Sequence, residues 1–272
     1  MKITKTILAV CLMAMTTAVS AQKTYVHITT ESGIKYDIAS DTITSMTIDT
    51  NAPVTGSTNG HDWVMIGGVK WATMNVGATT VAGLPSTCYG DYYAWSETEP
   101  RYSEISITGA TAATFTWKSD YSTGYNVSNP PTYTESTLDD DHDAATANWG
   151  SKWRTPTPTE FTALYNACGA SVNSSTNPGV DTSVGKGIYR CTSYDGIAGI
   201  LFCDGTNKVF FPATGVITGN SKIENGGVYC GYWQSTSNGT TYGYYFQTNS
   251  TQFFISNTAY KAHGHSVRAV LK

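Results

Sequence analysis

The chain has 272 residues, 13% of them charged and 12% aromatic, with a formal net charge of −4 from 20 acidic and 16 basic side chains. A nucleic-acid surface needs a basic excess to release counterions, so this balance argues against DNA or RNA as a partner. Eighteen tyrosines, seven tryptophans and eight phenylalanines are too much apolar surface for a disordered chain.

Residues 1–21 read as a secretory signal peptide. Lys2 and Lys5 form a positive start, 7–15 is an apolar run, and the small residues of 16–21 predict cleavage after Ala21. The run is shorter than the roughly 20 apolar residues a membrane span needs, and no later stretch reaches that length, so no transmembrane segment is expected. Lipid attachment at Cys11 is the weaker alternative, because the preceding Val10 is large for such a site. The expected location is extracellular, at the cell surface or periplasmic.

Residues 22–50 read as a short β-strand module. Val26 and Ile28 alternate, Glu31-Ser32-Gly33 breaks the run, and Ile34, Tyr36 and Ile38 alternate again. With Ile43, Met46 and Ile48 this predicts a hairpin or a three-strand meander. Residues 51–60 read as a linker, and 61–272 as the main domain.

Within that domain Thr157-Pro158-Thr159-Glu160 is a capping box with proline at the first helical position. Phe161, Leu164, Tyr165 and Cys168 follow on one helical stripe that Gly169 ends. A shorter helix is predicted from Asp143, as N-cap, to Trp149. Strands are expected at 188–191, 200–203, 209–211, 242–247, 253–255 and 266–270, with Asp204-Gly205 and Asn238-Gly239 as turns. Two helices beside a mostly antiparallel sheet make the expected class α+β.

Catalytic signatures are sparse. No G-x-S-x-G elbow or H-E-x-x-H pair occurs, and 179–186 departs from a phosphate loop in glycine spacing. Asp139, Asp141 and Asp143 are the candidate metal ligands, for calcium. The competing reading, which the sequence favours, is a solvated loop capping the short helix. His263-Gly264-His265 reads as structural. After Cys11, the cysteines 88, 168, 191, 203 and 230 are odd in number and lack zinc-type spacing, so they are expected to be buried small hydrophobes. No cofactor is expected.

The stretch 225–260 is unusual: 36 residues with no Asp, Glu, Lys or Arg and six tyrosines among Asn, Ser, Thr, Gln and Gly. Tyrosine offers contact area at low entropy cost and the small polar residues adaptable hydrogen bonds, as in antibody paratopes. Alternation places Tyr242, Tyr244 and Phe246 on one face, taken as core, and Gly243, Tyr245 and Gln247 on an exposed one.

Several motifs together resemble the Fibrobacter succinogenes major paralogous domain family. They are Trp71-Ala72-Thr73-Met74-Asn75-Val76-Gly77, Tyr89-Gly90-Asp91-Tyr92-Tyr93-Ala94-Trp95, Trp149-Gly150 with Trp153-Arg154-Thr155-Pro156-Thr157 and Glu160, Phe211-Pro212-Ala213-Thr214-Gly215, Gly231-Tyr232-Trp233-Gln234-Ser235-Thr236 and Gly264-His265-Ser266-Val267-Arg268. They run in the family's order over about 62–272; Gln234 and Ala269 depart from its usual Ser and Pro. The resemblance implies a C-type-lectin-like fold related to the formylglycine-generating enzymes. The catalytic cysteine motif of those enzymes is missing, as are the W-N-D and E-P-N motifs of sugar-binding C-type lectins, so no enzymatic activity is carried over. Variable proteins of diversity-generating retroelements place Tyr-, Asn- and Ser-rich positions in the same final stretch of this fold.

The expected function is therefore a secreted or surface binding module for a glycan or protein ligand, resembling a retroelement-diversified receptor. Its candidate contact set is Tyr229, Tyr232, Asn238, Tyr245, Gln247, Asn249, Asn257 and Tyr260. The alternative is a structural or tip subunit of a surface appendage, an adhesin whose N-terminal strands complete the sheet of a partner subunit. An enzyme using Cys191, Cys203 or Cys230 ranks last.

Overall fold

The computed structural model describes residues 25–29, 35–39, 54–173 and 185–272. The chain divides into two compact units, 1–50 and 51–272. In the first, β1 (Tyr25–Thr29) and β2 (Lys35–Ala39) pair antiparallel with Tyr25 opposite Ala39, as the Gly33 turn predicts. The signal segment and the third strand of the meander lie outside the described residues.

The second unit runs β3 (Thr55–Thr58), β4 (His61–Ile66), β5 (Val69–Ala72), α1 (Pro85–Cys88), β6 (Tyr102–Ile107), β7 (Ala113–Trp117), α2 (Ala144–Trp149), β8 (Trp153–Arg154) and α3 (Pro158–Ala167). There follow β9 (Val172–Asn173), β10 (Gly187–Tyr194), β11 (Ile197–Cys203), β12 (Lys208–Pro212), β13 (Cys230–Asn238), β14 (Tyr242–Thr248), β15 (Phe253–Tyr260) and β16 (Val270–Leu271). The strands form sheets of order β3-β4-β5-β16-β8, β12-β11-β10-β9 and β13-β14-β15, with β6-β7 as a separate hairpin. Among the named strands of the described residues, only β9 and β10 pair in parallel.

This architecture corrects the expected α+β class. About 40% of the residues are strand and 13% helical, and the three helices are short, so the protein is mainly β. Capping signals make helices conspicuous in a sequence out of proportion to their length. The capping box of α3 forms as predicted and Asp143 caps α2, but the two helices are only ten and six residues long.

The linker reading of 51–60 also needs correction, since β3 is the edge strand of the five-stranded sheet and pairs with β4. Asn59 (φ 52°) and Gly60 (φ 80°) form the turn between them, and an Asn-Gly pair of positive φ is the strongest short hairpin signal. Gly56 is required by close packing, because a Cβ there would sit 2.4 Å from the Trp63 indole.

The aromatic residues fill three apolar clusters. One joins α3 to the sheets through Trp71, Phe161, Phe202, Phe211 and Phe246, with Phe161 and Phe246 stacked at 5.2 Å. A second is built on Trp95, Trp149, Trp153, Trp233 and Tyr245, and a third on Tyr89, Tyr92, Tyr102, Tyr125 and Phe210. Buried Tyr and Trp need partners for their polar tips, and backbone carbonyls supply several of them. Tyr92 donates to Thr214 O (2.5 Å), Tyr232 to Pro212 O (2.6 Å) and Trp233 Nε1 to Tyr93 O (2.7 Å). The low charge content thus accompanies an interior that is aromatic but hydrogen-bonded.

Arg268, fully buried, ties the C-terminus into this core. It donates to Ala72 O (3.0 Å) and Phe210 O (2.9 Å) and lies 4.6 Å above the Phe211 ring. Burial pushes its guanidinium down to about 10.

Candidate binding site

The charge-free stretch builds the sheet β13-β14-β15, and its middle is covered on both faces. Phe246 enters the α3 cluster, while the next residue back, Tyr245, enters the tryptophan cluster and is 7% exposed. Tyr242 and Tyr244 are half-buried. The expected division into a core face and an exposed face therefore fails at Tyr245. Alternation identifies a core face only where the other face meets water.

Four of the eight candidate residues come together in a hydrogen-bonded chain. Tyr229 OH donates to Tyr245 OH (2.8 Å), and Tyr245 OH donates to the Gln247 side-chain carbonyl (2.7 Å). Asn257 Nδ2 donates to the same Gln247 oxygen, and Asn257 Oδ1 accepts from Thr258 N (2.8 Å). Strand pairing makes this possible by setting Tyr245 opposite Trp233 and Asn257. Burial pushes both tyrosine hydroxyls upward, so they stay protonated and the chain of donors runs one way. With the Gln247 oxygen occupied twice, its half-exposed side chain turns an amide N–H₂ outward that has no partner among the described residues.

Phe254, which the candidate set omits, pairs with Gln247 across the strands and is 42% exposed. Directly opposed residues share a face, so an aromatic ring stands beside the amide. The signal was the Phe253-Phe254 doublet, since consecutive strand residues point to opposite faces and one ring must leave the core. Arg190 of β10 was also missed. It holds the adjoining turn by donating to Asn249 O (2.7 Å) and Gln252 O (3.2 Å).

The other four candidates separate. Tyr232 is fully buried and bonded to Pro212 O and Asn75 Nδ2, which removes it from any contact surface. Asn249 shapes its own turn, its Oδ1 accepting from Thr251 N (2.9 Å) and Gln252 N (2.8 Å). Asn238 lies exposed at the β13-β14 hairpin. Tyr260, 39% exposed, packs on Tyr242 at 4.8 Å, and Tyr242 pairs with Asn238, so these residues lie at the opposite end of the sheet from Gln247.

The three aspartates do not converge on a cation. Asp139 accepts from His142 N (3.0 Å) and contacts its Nδ1 (2.7 Å), and Asp141 is exposed. Asp143 is buried and committed to Ala145 N, Thr146 N, Thr155 N and Thr155 Oγ1. No group of three metal-binding side chains occurs among the described residues. His263 and His265 have rings 6.4 Å apart, and His265 is enclosed by Trp233 and Tyr245.

All five described cysteines are buried. Burial pushes Cys88 up to about 11 and Cys168 and Cys191 up to about 12, and it raises Cys230 further. Reactive cysteines need the opposite shift. A thiol reagent at pH 8 should label native protein at these four positions no faster than it unfolds. Rapid labelling of any one would reopen a cysteine chemistry.

No protein-family model, curated protein or solved structure matches the chain. No helix among the described residues is long and apolar enough to cross a membrane.

Proposed function

We propose that this protein is an exported, surface-displayed binding module that engages a glycan or protein ligand at the Gln247 end of the β13-β14-β15 sheet. The observation that carries the reading is the outward amide of Gln247, oriented by Tyr229, Tyr245 and Asn257 and flanked by the exposed ring of Phe254. A donor held by its neighbours loses little freedom on binding, and a ring beside it supplies apolar area. Among the described residues the surroundings carry no acidic group and only Arg190, which is engaged with the Asn249 and Gln252 carbonyls, and so suit a neutral, hydroxyl-rich or amide-rich partner. Export rests on the pattern of residues 1–21, and the motif order resembling the paralogous family supports a surface role.

The test is binding on glycan and host-protein arrays. Gln247→Ala and Phe254→Ala are each expected to weaken capture about tenfold, equivalent to about 1.4 kcal/mol. Tyr245→Phe, which leaves the ring but removes one of the two donors to the Gln247 oxygen, should weaken it less. Tyr260→Ala, at the far end, should leave it unchanged. Full retention by the Gln247→Ala/Phe254→Ala double variant, or no captured ligand, defeats the reading.

A second reading is supported by β1 and β2, which pair only with each other among the described residues. Such a ribbon has two edges able to add to the sheet of a partner subunit, as a surface-appendage subunit requires. Deleting 22–50 should then leave a folded domain that no longer assembles; continued assembly would reject this role.

A further inference from the structure

The β6-β7 hairpin is a two-stranded sheet, and the outer edge of β6 pairs with no other strand among the described residues. Thr108 N donates to Ala112 O (3.0 Å) to close it, and Ile107 and Ile105 stand opposite Ala113 and Phe115. Antiparallel pairs alternate between bonded and non-bonded, so the peptide groups of Ile105 and Ile107 point away from β7. No other element bonds to them among the described residues.

What faces this edge is a cavity of about 240 Å³, walled by Gly77, Ser86, Gly90 and Asp91 on one side and by Ile105, Ser106 and Ile107 on the other. Drug-sized ligands need about 300–1,000 Å³, so the space suits a single side chain. Two glycines shape the wall. A Cβ on Gly77 (φ +82°) would lie 2.2 Å from Asp91 Oδ2, and one on Gly90 (φ +71°) would lie 2.3 Å from Val76 O.

Asp91 is the charged group of this slot. Its Oδ1 accepts from Tyr102 OH (3.1 Å), yet no lysine or arginine among the described residues pairs with it. The other titratable groups facing it are Tyr93, Tyr102 and Tyr125, whose hydroxyls burial holds far above their usual range and therefore neutral. The neighbouring exposed charge on β6 is Glu104, also acidic. A partly desolvated carboxylate without a counter-ion is unfavourable until a cation completes it.

We propose that this slot binds an extended peptide segment of a partner protein, which adds as a strand to the free edge of β6 and sets a lysine or arginine side chain against Asp91. Main-chain bonds to Ile105 and Ile107 would give affinity in the manner of strand addition, and the carboxylate would select the side chain. The site is separate from the Gln247 face and stands independently of the function proposed for it.

The probe is a capped heptapeptide, Thr-Val-Thr-Arg-Thr-Val-Thr, titrated into the full chain and followed by backbone amide shifts. Shifts are expected along Ile105–Ile107, with affinity at least tenfold lower when citrulline replaces arginine. Asp91→Asn should abolish that discrimination while keeping an acceptor for Tyr102. Ile107→Pro removes an outward N–H without touching the bonds to β7 and should lose binding at an unchanged melting temperature. Burial raises the Asp91 carboxyl, so affinity for the arginine peptide should fall as pH is lowered through that raised value, and this fall should vanish in Asp91→Asn. Equal affinity for both peptides, shifts located elsewhere, or no binding at millimolar peptide would overturn the proposal.

Discussion

Replacing Asp143 with alanine is expected to lower the unfolding free energy by about 3 kcal/mol, measured by urea denaturation. The carboxylate does two jobs at once. Its Oδ1 caps α2 through Ala145 N (2.9 Å) and Thr146 N (3.2 Å), and its Oδ2 takes the Thr155 N–H (2.8 Å) that follows β8. Loss of a cap costs about 1 kcal/mol, and each buried donor left without an acceptor adds about 1–3 kcal/mol. Asp143→Asn should recover only part of this, because its amide must present a donor to one of the donors it now faces. A loss below about 1 kcal/mol for the alanine variant would show that this junction is dispensable. The same bonds explain why the residue is unavailable to calcium, and adding calcium or a chelator should leave the melting temperature of native protein unchanged.

Stability is also expected to fall on mild acidification, with His265 responsible for about one proton of the slope. The ring is 1% exposed, and its only hydrogen-bonding neighbour among the described residues is the Gly231 backbone, at a geometry too poor for a full hydrogen bond. Burial lowers its pKa well below 6.5, and His263 nearby lowers it further. The sign follows from proton counts. Below 6.5 the unfolded chain takes up a proton at this position and the folded chain does not, so stability is complete above 6.5 and declines as pH falls. The slope from one such group approaches about 1.4 kcal/mol per pH unit. His263 and His61, whose burial also lowers them, add to the same limb. His265→Phe should therefore make the decline between pH 6.5 and 5 shallower by about one proton, read from denaturation curves at stepped pH. An identical slope in the variant would mean that the ring is protonated in the folded protein.

Much of the local structure was legible. The Thr157–Glu160 capping box, the Asp143 cap and the β1-β2 pairing follow from residue types at short offsets along the chain. Asn59-Gly60 carried an equally good signal, overlooked because Thr55–Thr58 resembles a linker in composition. The mainly-β class was less legible. The strands β6 and β7 ahead of α2 do alternate, as in Ala113-Thr114-Phe115-Thr116-Trp117, but they are short, and nothing local announces that β16 pairs with β5 and β8.

The candidate binding face divides in the same way. By itself the sequence determined that 225–260 is uncharged and rich in tyrosine and amides, that the cysteines lack zinc-type spacing, and that helices begin at Asp143 and Thr157. These are properties of composition and short-range bonding. Only the tertiary structure decided which of those aromatics meet water. It sends Tyr232 and Tyr245 inward, leaves Phe254 outside, and joins Tyr229, Tyr245, Gln247 and Asn257 across β14, β15 and the approach to β13. The reason is that this sheet is packed on both faces, and the partners that cover the second face come from distant segments around Trp95, Trp149 and Trp153.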